Sequence, residues 1–294
     1  MRLGGEGPSG NFEDRTGSSG GMGLGGGGGN LLGCLLPMVM SRFGIVGVLI
    51  LLLGYCALTQ LGGGGSIIPG GTTTSAPSGQ SRLDANMRDF LTRVLGSTEE
   101  TWGEIYQRNG QQYTPTRMVA YTRGTQTECG FGQAAMGPFY CPNDRSIYID
   151  PTFFNELTSR FGASGDAAMA YVIAHEVGHH LQNLQGTLDR AQSAQARASK
   201  ADGNAIQVGI ELQADCYAGI WMARARDAQG PIVEPGDAEE ALRAAEAIGD
   251  DTLQKQTQGT VVPESFTHGT SAQRMAALRR GMETGDPAQC NFAN

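Results

Sequence analysis

Apolar residues follow three different patterns along this chain. From Phe43 to Leu61, FGIVGVLILLLGYCALTQL, they run uninterrupted by charge, long enough to cross a bilayer as a helix. From residue 83 onward they recur at helical intervals instead. RLDANMRDFLTRVLGSTEETWGEIYQR reads as two short helices with a break at Gly96 and Ser97, and AMAYVIAHEVGHHLQNL as one amphipathic helix. DRAQSAQARASKAD is rich in helix formers, and NAIQVGIELQADCYAGIWMARARDA reads as a long, largely buried helix. A last amphipathic helix follows THGTSAQR, with Thr270 or Ser271 as its cap. The third pattern is strand-like: RMVAYT and RSIYID, bounded by Pro, Gly and Asn-Asp, predict a small antiparallel sheet ahead of the HEVGH helix. The prolines of MGPFYCPND suit a sheet edge or a loop, and an edge near a cleft can pair with an extended peptide.

Glycine-rich stretches separate these patterns. Residues 1–30, with GSSGGMGLGGGGGN, bury too little apolar surface to offset chain entropy and are expected to be disordered; residues 62–82 read as a flexible linker. The expected organisation is therefore a disordered segment 1–30, a membrane region 31–61 with one transmembrane helix at about 43–61, the linker, and one globular domain over 83–294. LLGCLLPMVM is too short to cross and extends the apolar region or lies at the interface. A cleaved signal peptide fits less well, because the apolar run starts far from the N-terminus and lacks a small-x-small cleavage site. Arg42 precedes the span and the next basic residue is Arg82, a bias that puts the N-terminus in the cytoplasm and the domain outside, in a periplasm or at the cell surface.

The helix around HEVGH carries the candidate chemistry. At about 100° per residue, His175 and His179 share one stripe with Glu176 on its shoulder, while Met169, Ile173, Val177, Leu181 and Leu184 trace a different arc. His180 falls in the apolar arc and is expected to be structural. H-E-x-x-H is the spacing at which two imidazoles bind zinc and the glutamate between them acts as base toward an activated water. A catalytic zinc needs a third ligand, and Glu211 and Asp215, four residues apart on a helix with little room for water, are the candidates. Glutamate reaches one carbon further and two direct carboxylates would fill the open position, so Glu211 is expected as ligand and Asp215 as acceptor of the free ring N–H of His175. His268, in the loop before the last helix, is a candidate oxyanion donor; Arg274 either helps it or pairs structurally.

Charge and cysteine usage narrow the class. With 21 basic and 29 acidic residues, a net charge of −8 and no dense basic tract, nucleic acid is not an expected partner. Cys129, Cys141, Cys216 and Cys290 lie in the outer domain, where disulfides are permitted; the short separation favours Cys129 with Cys141, leaving Cys216 with Cys290.

CGFGQAAMGPFYCPNDRSIYID, AYVIAHEVGHHLQ, ELQADCYAG and THGTSAQR together resemble the putative neutral zinc metallopeptidase family of single-span bacterial membrane proteins. The resemblance implies an α+β, mostly helical zincin-like domain in which His175, His179 and a downstream acid bind zinc and Glu176 is the base; an E-x-x-x-D segment after the HExxH helix again points to Glu211 as the ligand. The expected function is a membrane-anchored, zinc-dependent endopeptidase acting on peptides or proteins. The rivals are a zinc amidase acting on cell-wall components and a non-catalytic, zinc-stabilised binding protein.

Overall fold

A short strand near the start of the chain, β1 (Phe12–Asp14), is the first element of the computed structural model, which describes residues 1–5, 7–17, 81–160 and 162–292. β1 lies at one edge of a four-stranded sheet. Next to it comes β2 (Arg117–Ala120), then β6 (Ser146–Ile149), and β5 (Phe139–Cys141) forms the other edge. Between β2 and β5 the chain makes a separate antiparallel hairpin, β3 (Gly124–Thr127) with β4 (Gly130–Gln133).

The two strands expected from RMVAYT and RSIYID are present, but their pairing corrects the expected antiparallel sheet. β1 pairs with β2 and β2 with β6 in parallel, Met118 opposite Ile147 and Ala120 opposite Ile149; only β5 against β6 is antiparallel. The long stretch 121–145 explains this. It carries a hairpin and an edge strand, and so supplies the long crossover that a parallel pair needs. All four residues of β6 are buried, as befits an inner strand covered on both faces.

The N-terminal expectation also needs correcting. Residues 7–17 are not a featureless tail, and residues 1–17 belong to the same compact unit as 81–292. The Ser9 N–H donates to the Thr92 carbonyl at 2.9 Å, the Met118 N–H to the Asn11 carbonyl at 2.9 Å and the Arg15 N–H to the Ala120 carbonyl at 2.7 Å. The helix after residue 80, α1 (Ala85–Arg108), is continuous across the expected break at Gly96. Gly96 is a contact point: a Cβ there would lie 2.5 Å from the Gly7 carbonyl oxygen, so the missing side chain admits the N-terminal segment.

Seven further helices complete the described residues: α2 (Thr152–Ser159), α3 (Asp166–Leu184), α4 (Thr187–Gln195), α5 (Lys200–Arg224), α6 (Asp237–Ala247), α7 (Asp250–Gln258) and α8 (Ser271–Thr284). α3 and α5 carry the site motifs and pack on each other, and α8 packs on α5 as well. Leu91, Trp102, Met118, Ile147, Tyr171, Ile173 and Trp221 are among the buried side chains of the common core. Ser199 caps α5 through the Asp202 N–H, and Thr270 begins α8 with a reciprocal capping box to Gln273. Both expected disulfides are present, Cys129–Cys141 and Cys216–Cys290, and the second ties the C-terminal end of the described chain to α5 one residue beyond Asp215. Among the described residues no helix is long and apolar enough to cross a membrane; the expected span at Phe43–Leu61 lies outside them.

Candidate metal centre

Gly178 sits in the middle of HEVGHH, where α3 crosses α5. A Cβ on Gly178 would lie 2.9 Å from the Ala214 Cα, so this glycine sets how near the two helices come. At that separation Glu211 on α5 reaches the histidines of α3. Its Oε2 lies 3.2 Å from Nε2 of His175 and 3.7 Å from Nε2 of His179. The three donor atoms lie within 4.8 Å of one another. Ligands held tetrahedrally at about 2.0–2.2 Å from zinc stand roughly 3.3–3.6 Å apart, so this donor set fits that ion in both chemistry and spacing.

The outer atoms of the same side chains are all tied. His175 Nδ1–H donates to Asp215 Oδ1 at 2.8 Å, and His179 Nδ1–H to Gln182 Oε1 at 2.9 Å, which leaves Nε2 as the nitrogen of each ring that faces Glu211. Gln182 is in turn anchored through its Nε2, which donates to the Ile210 carbonyl at 2.7 Å. The Glu211 Oε1 accepts from Gln207 Nε2 at 3.0 Å, freeing Oε2 for the centre. Asp215 is fully buried and also accepts from the Tyr171 hydroxyl at 2.6 Å and from Nε and Nη2 of Arg274, both at 2.9 Å.

This packing sets the charge states. Burial opposes ionisation of Asp215, but Arg274 and His175 outweigh it and pull its pKa down to about 2. Burial likewise disfavours charge on His175, yet the Asp215 carboxylate raises it to about 10. Glu211 is held well below the usual carboxylate range, its desolvation overcome by His179 and His175. Glu176 behaves differently. Burial pushes its carboxyl up against the pull of the two imidazoles, and its buried Oε2 has no hydrogen-bond partner among the described residues. An unpartnered carboxylate oxygen costs free energy where it stands and is free to take a proton.

The cluster opens on a cleft of about 750 Å³ whose wall includes His175, Glu176, His179, Glu211 and His268. The edge strand contributes Phe139 and Tyr140, and the apolar lining includes Met136, Phe153, Val172 and Leu253. His268 is about half exposed, and Asp250 sets its loop: Asp250 Oδ2 accepts the backbone N–H groups of Thr267, His268 and Gly269 at 2.7, 2.7 and 3.1 Å, while Oδ1 lies 3.2 Å from His268 Nδ1. Among the described residues, the hydrogen bonds of the His268 ring are made through Nδ1. Arg274 is otherwise engaged: besides Asp215, its Nη1 donates to the Ile248 carbonyl at 3.3 Å, so it is a structural partner at this site. His180 is fully buried, its Nε2–H on the Thr114 carbonyl at 2.7 Å and its Nδ1 3.0 Å from the Tyr140 hydroxyl.

Reading the sequence alone passes over Gln182, Gln207, Tyr171 and Asp250. Only Gln182 and Gln207 left a trace in it, one three residues after His179 and the other four before Glu211, the spacings at which side chains meet on a helix.

The family described as putative neutral zinc metallopeptidase matches residues 1–292. Among relatives, the chain is 44% identical over 294 residues to the uncharacterized protein YpfJ of Escherichia coli K12, covering 99% of this chain and 98% of that one. It is 40% identical over 221 residues to the uncharacterized protein Rv2575 of Mycobacterium tuberculosis H37Rv, covering 72% of this chain and 74% of that one. No solved structure matches the chain.

Proposed function

We propose that this chain, which belongs to the putative neutral zinc metallopeptidase family, is a zinc-dependent endopeptidase held at a membrane by its apolar segment. The observation that carries the reading is the convergence of His175 Nε2, His179 Nε2 and Glu211 Oε2 beside the unpartnered Glu176 carboxylate, at the floor of an open cleft. Three protein donors with an open side are the arrangement of a catalytic zinc rather than a closed structural one. When bound there, zinc supplies Lewis acidity toward water and toward the scissile carbonyl.

The residues of the chain do the rest. His175, His179 and Glu211 hold the ion; Asp215 and Gln182 fix the tautomers that leave both Nε2 atoms free to bind it. Glu176, raised by burial, takes the proton from the attacking water and delivers it to the leaving amine. His268 Nε2–H faces the carbonyl oxygen as charge builds on it, and Asp250 keeps the ring turned that way. β5 is an edge strand with one unpaired side, so an extended peptide lies along it by strand addition, its apolar side chains against Met136, Phe153 and Val172. The two disulfides favour an extracytoplasmic domain.

The test is digestion of an unfolded protein by the full-length chain, with and without a chelator, beside Glu176→Gln. Cleavage should need zinc, and the variant should keep about one zinc per chain while losing hydrolysis. A zinc-loaded wild type that leaves unfolded proteins intact, or a Glu176→Gln that cuts at the wild-type rate, would refute this assignment.

A further inference from the structure

The chain leaves the folded domain and returns to it at one point. The Arg82 N–H donates to Thr16 Oγ1 at 3.0 Å, the Ser81 hydroxyl donates to Asp14 Oδ2, and Arg88 Nη2 lies 3.0 Å from that same oxygen. Between these two ends runs the stretch that contains Phe43–Leu61.

The docking of the N-terminal segment is built into the domain. β1 completes the sheet over three residues, Glu99 accepts from the Ser9 hydroxyl at 2.7 Å and from Asn11 Nδ2 at 2.9 Å, and the Arg88 guanidinium lies over the Phe12 ring at 5.2 Å. The domain in turn gives up a side chain at Gly96, inside a helix where glycine costs about 1 kcal/mol relative to alanine, so that the Gly7 backbone can lie against it. Stripping this segment away would open the edge of β2 and leave Gly96 with nothing to accommodate.

We propose that residues 1–17 lie on the same side of the membrane as the catalytic domain. A single crossing would put about 30 Å of hydrocarbon between Thr16 and Ser81, which here flank one hydrogen-bonded junction. The positive-inside expectation of an N-terminus on the opposite side rests on Arg42 alone, a thin bias against a strand, a helix contact and a junction. The inference rests on the membrane-anchor part of the reading above, not on catalysis.

The experiment uses the full-length chain with Cys34→Ala and Cys56→Ala, carrying either Gly10→Cys or Ser193→Cys, both at exposed positions. Spheroplasts are treated with a membrane-impermeant maleimide before and after permeabilisation, and the membranes are washed with alkaline carbonate. The expected result is a chain retained in the washed membranes whose two cysteines behave alike, both reacting before permeabilisation or both only after. Retained chain with the two positions reacting from opposite sides overturns the inference and leaves the anchor standing. Release into the carbonate wash overturns both. As a second readout, Asp14→Cys with Ser81→Cys should cross-link on mild oxidation in washed membranes, and adding Gly96→Leu should abolish the cross-link; failure of the first pair to cross-link there also sinks the inference.

Discussion

Asp215 Oδ1 lies 2.8 Å from Nδ1 of His175, on the side of the ring away from Glu211 Oε2, which stands 3.2 Å from Nε2. One helical turn on α5 thus sends two carboxylates to opposite nitrogens of one imidazole. Their tasks separate accordingly. Loss of a ligand should empty the site, whereas loss of a group that orients one typically costs about 10- to 100-fold in metal affinity. Glu211→Gln is therefore expected to be isolated nearly free of zinc, and Asp215→Asn to keep a weakened site, as read by metal analysis and competition with a chelator. The reverse order would make the aspartate the ligand.

Arg274 and Asp215 form a pair that is 2% and 0% exposed, so truncating one partner and replacing both have unequal consequences. Removing one member of a buried pair strands the other, at a cost of about 3–5 kcal/mol, while replacing both with neutral groups is far milder. Arg274→Met should destabilise the metal-free protein by that amount in denaturant unfolding, and Asp215→Asn added to it should recover a large part of the loss. A cost for Arg274→Met below about 1 kcal/mol would mean that the pair is not desolvated as the structure has it.

What the sequence shows of this site follows from periodicity. His175, His179 and Glu176 are set by one helix, Glu211 and Asp215 by another, so each trio or pair is visible from spacing alone. The way the helices meet is not. That depends on Gly178, whose meaning is the absence of a side chain opposite Ala214, and no periodicity marks it. Gly96 misleads for the same reason: a glycine inside a helical pattern looks like a break when it is a contact with Gly7 and Ser9, far earlier in the chain. The N-terminal strand was hidden because FED is three residues long among glycines, and its partner, β2, is distant in sequence. Parallel pairing of β2 with β6 is likewise a long-range choice, whereas the disulfides were accessible from cysteine count and separation.

His268 is expected to act on turnover and not on metal. Removing one oxyanion donor costs about 10²- to 10³-fold in kcat, so His268→Ala should fall by that factor with its zinc content unchanged. Unchanged turnover would return this histidine to the role of an exposed loop residue.

Asp250 gives that loop a pH dependence. Burial opposes its charge, but the His268 ring and the backbone N–H groups of His268 and Thr267 outweigh burial and hold its pKa below the ordinary value. A carboxyl depressed on folding adds stability that is present above its unfolded pKa and is lost as pH falls through its folded one. Amide exchange at residues 267–269 of the metal-free protein should therefore lose protection as the pH is lowered into the carboxylate range. Asp250→Asn should show the loosened loop already at neutral pH, with a flatter pH profile. A wild-type loop equally protected at both ends of that range would contradict this.

Gly178→Ala sets two effects of similar size against each other. Alanine in place of a helical glycine gains about 1 kcal/mol in propensity, and forcing a methyl against a packed backbone costs about 1–3 kcal/mol. The Cβ would lie 2.9 Å from the Ala214 Cα and 3.0 Å from its carbonyl oxygen, both backbone atoms that cannot swing aside, so α5 itself must move. Stability should consequently change little, by at most about 2 kcal/mol of loss. Zinc affinity should fall much more, because the displacement carries Glu211 Oε2 away from the two Nε2 atoms it now approaches at 3.2 and 3.7 Å. Gly178→Val, bulkier and stiffer at χ1, should lose both. The discriminating measurement is zinc affinity beside denaturant stability on the same preparation of Gly178→Ala. Wild-type affinity in a protein that is stabilised would show that the helix crossing does not set the reach of Glu211.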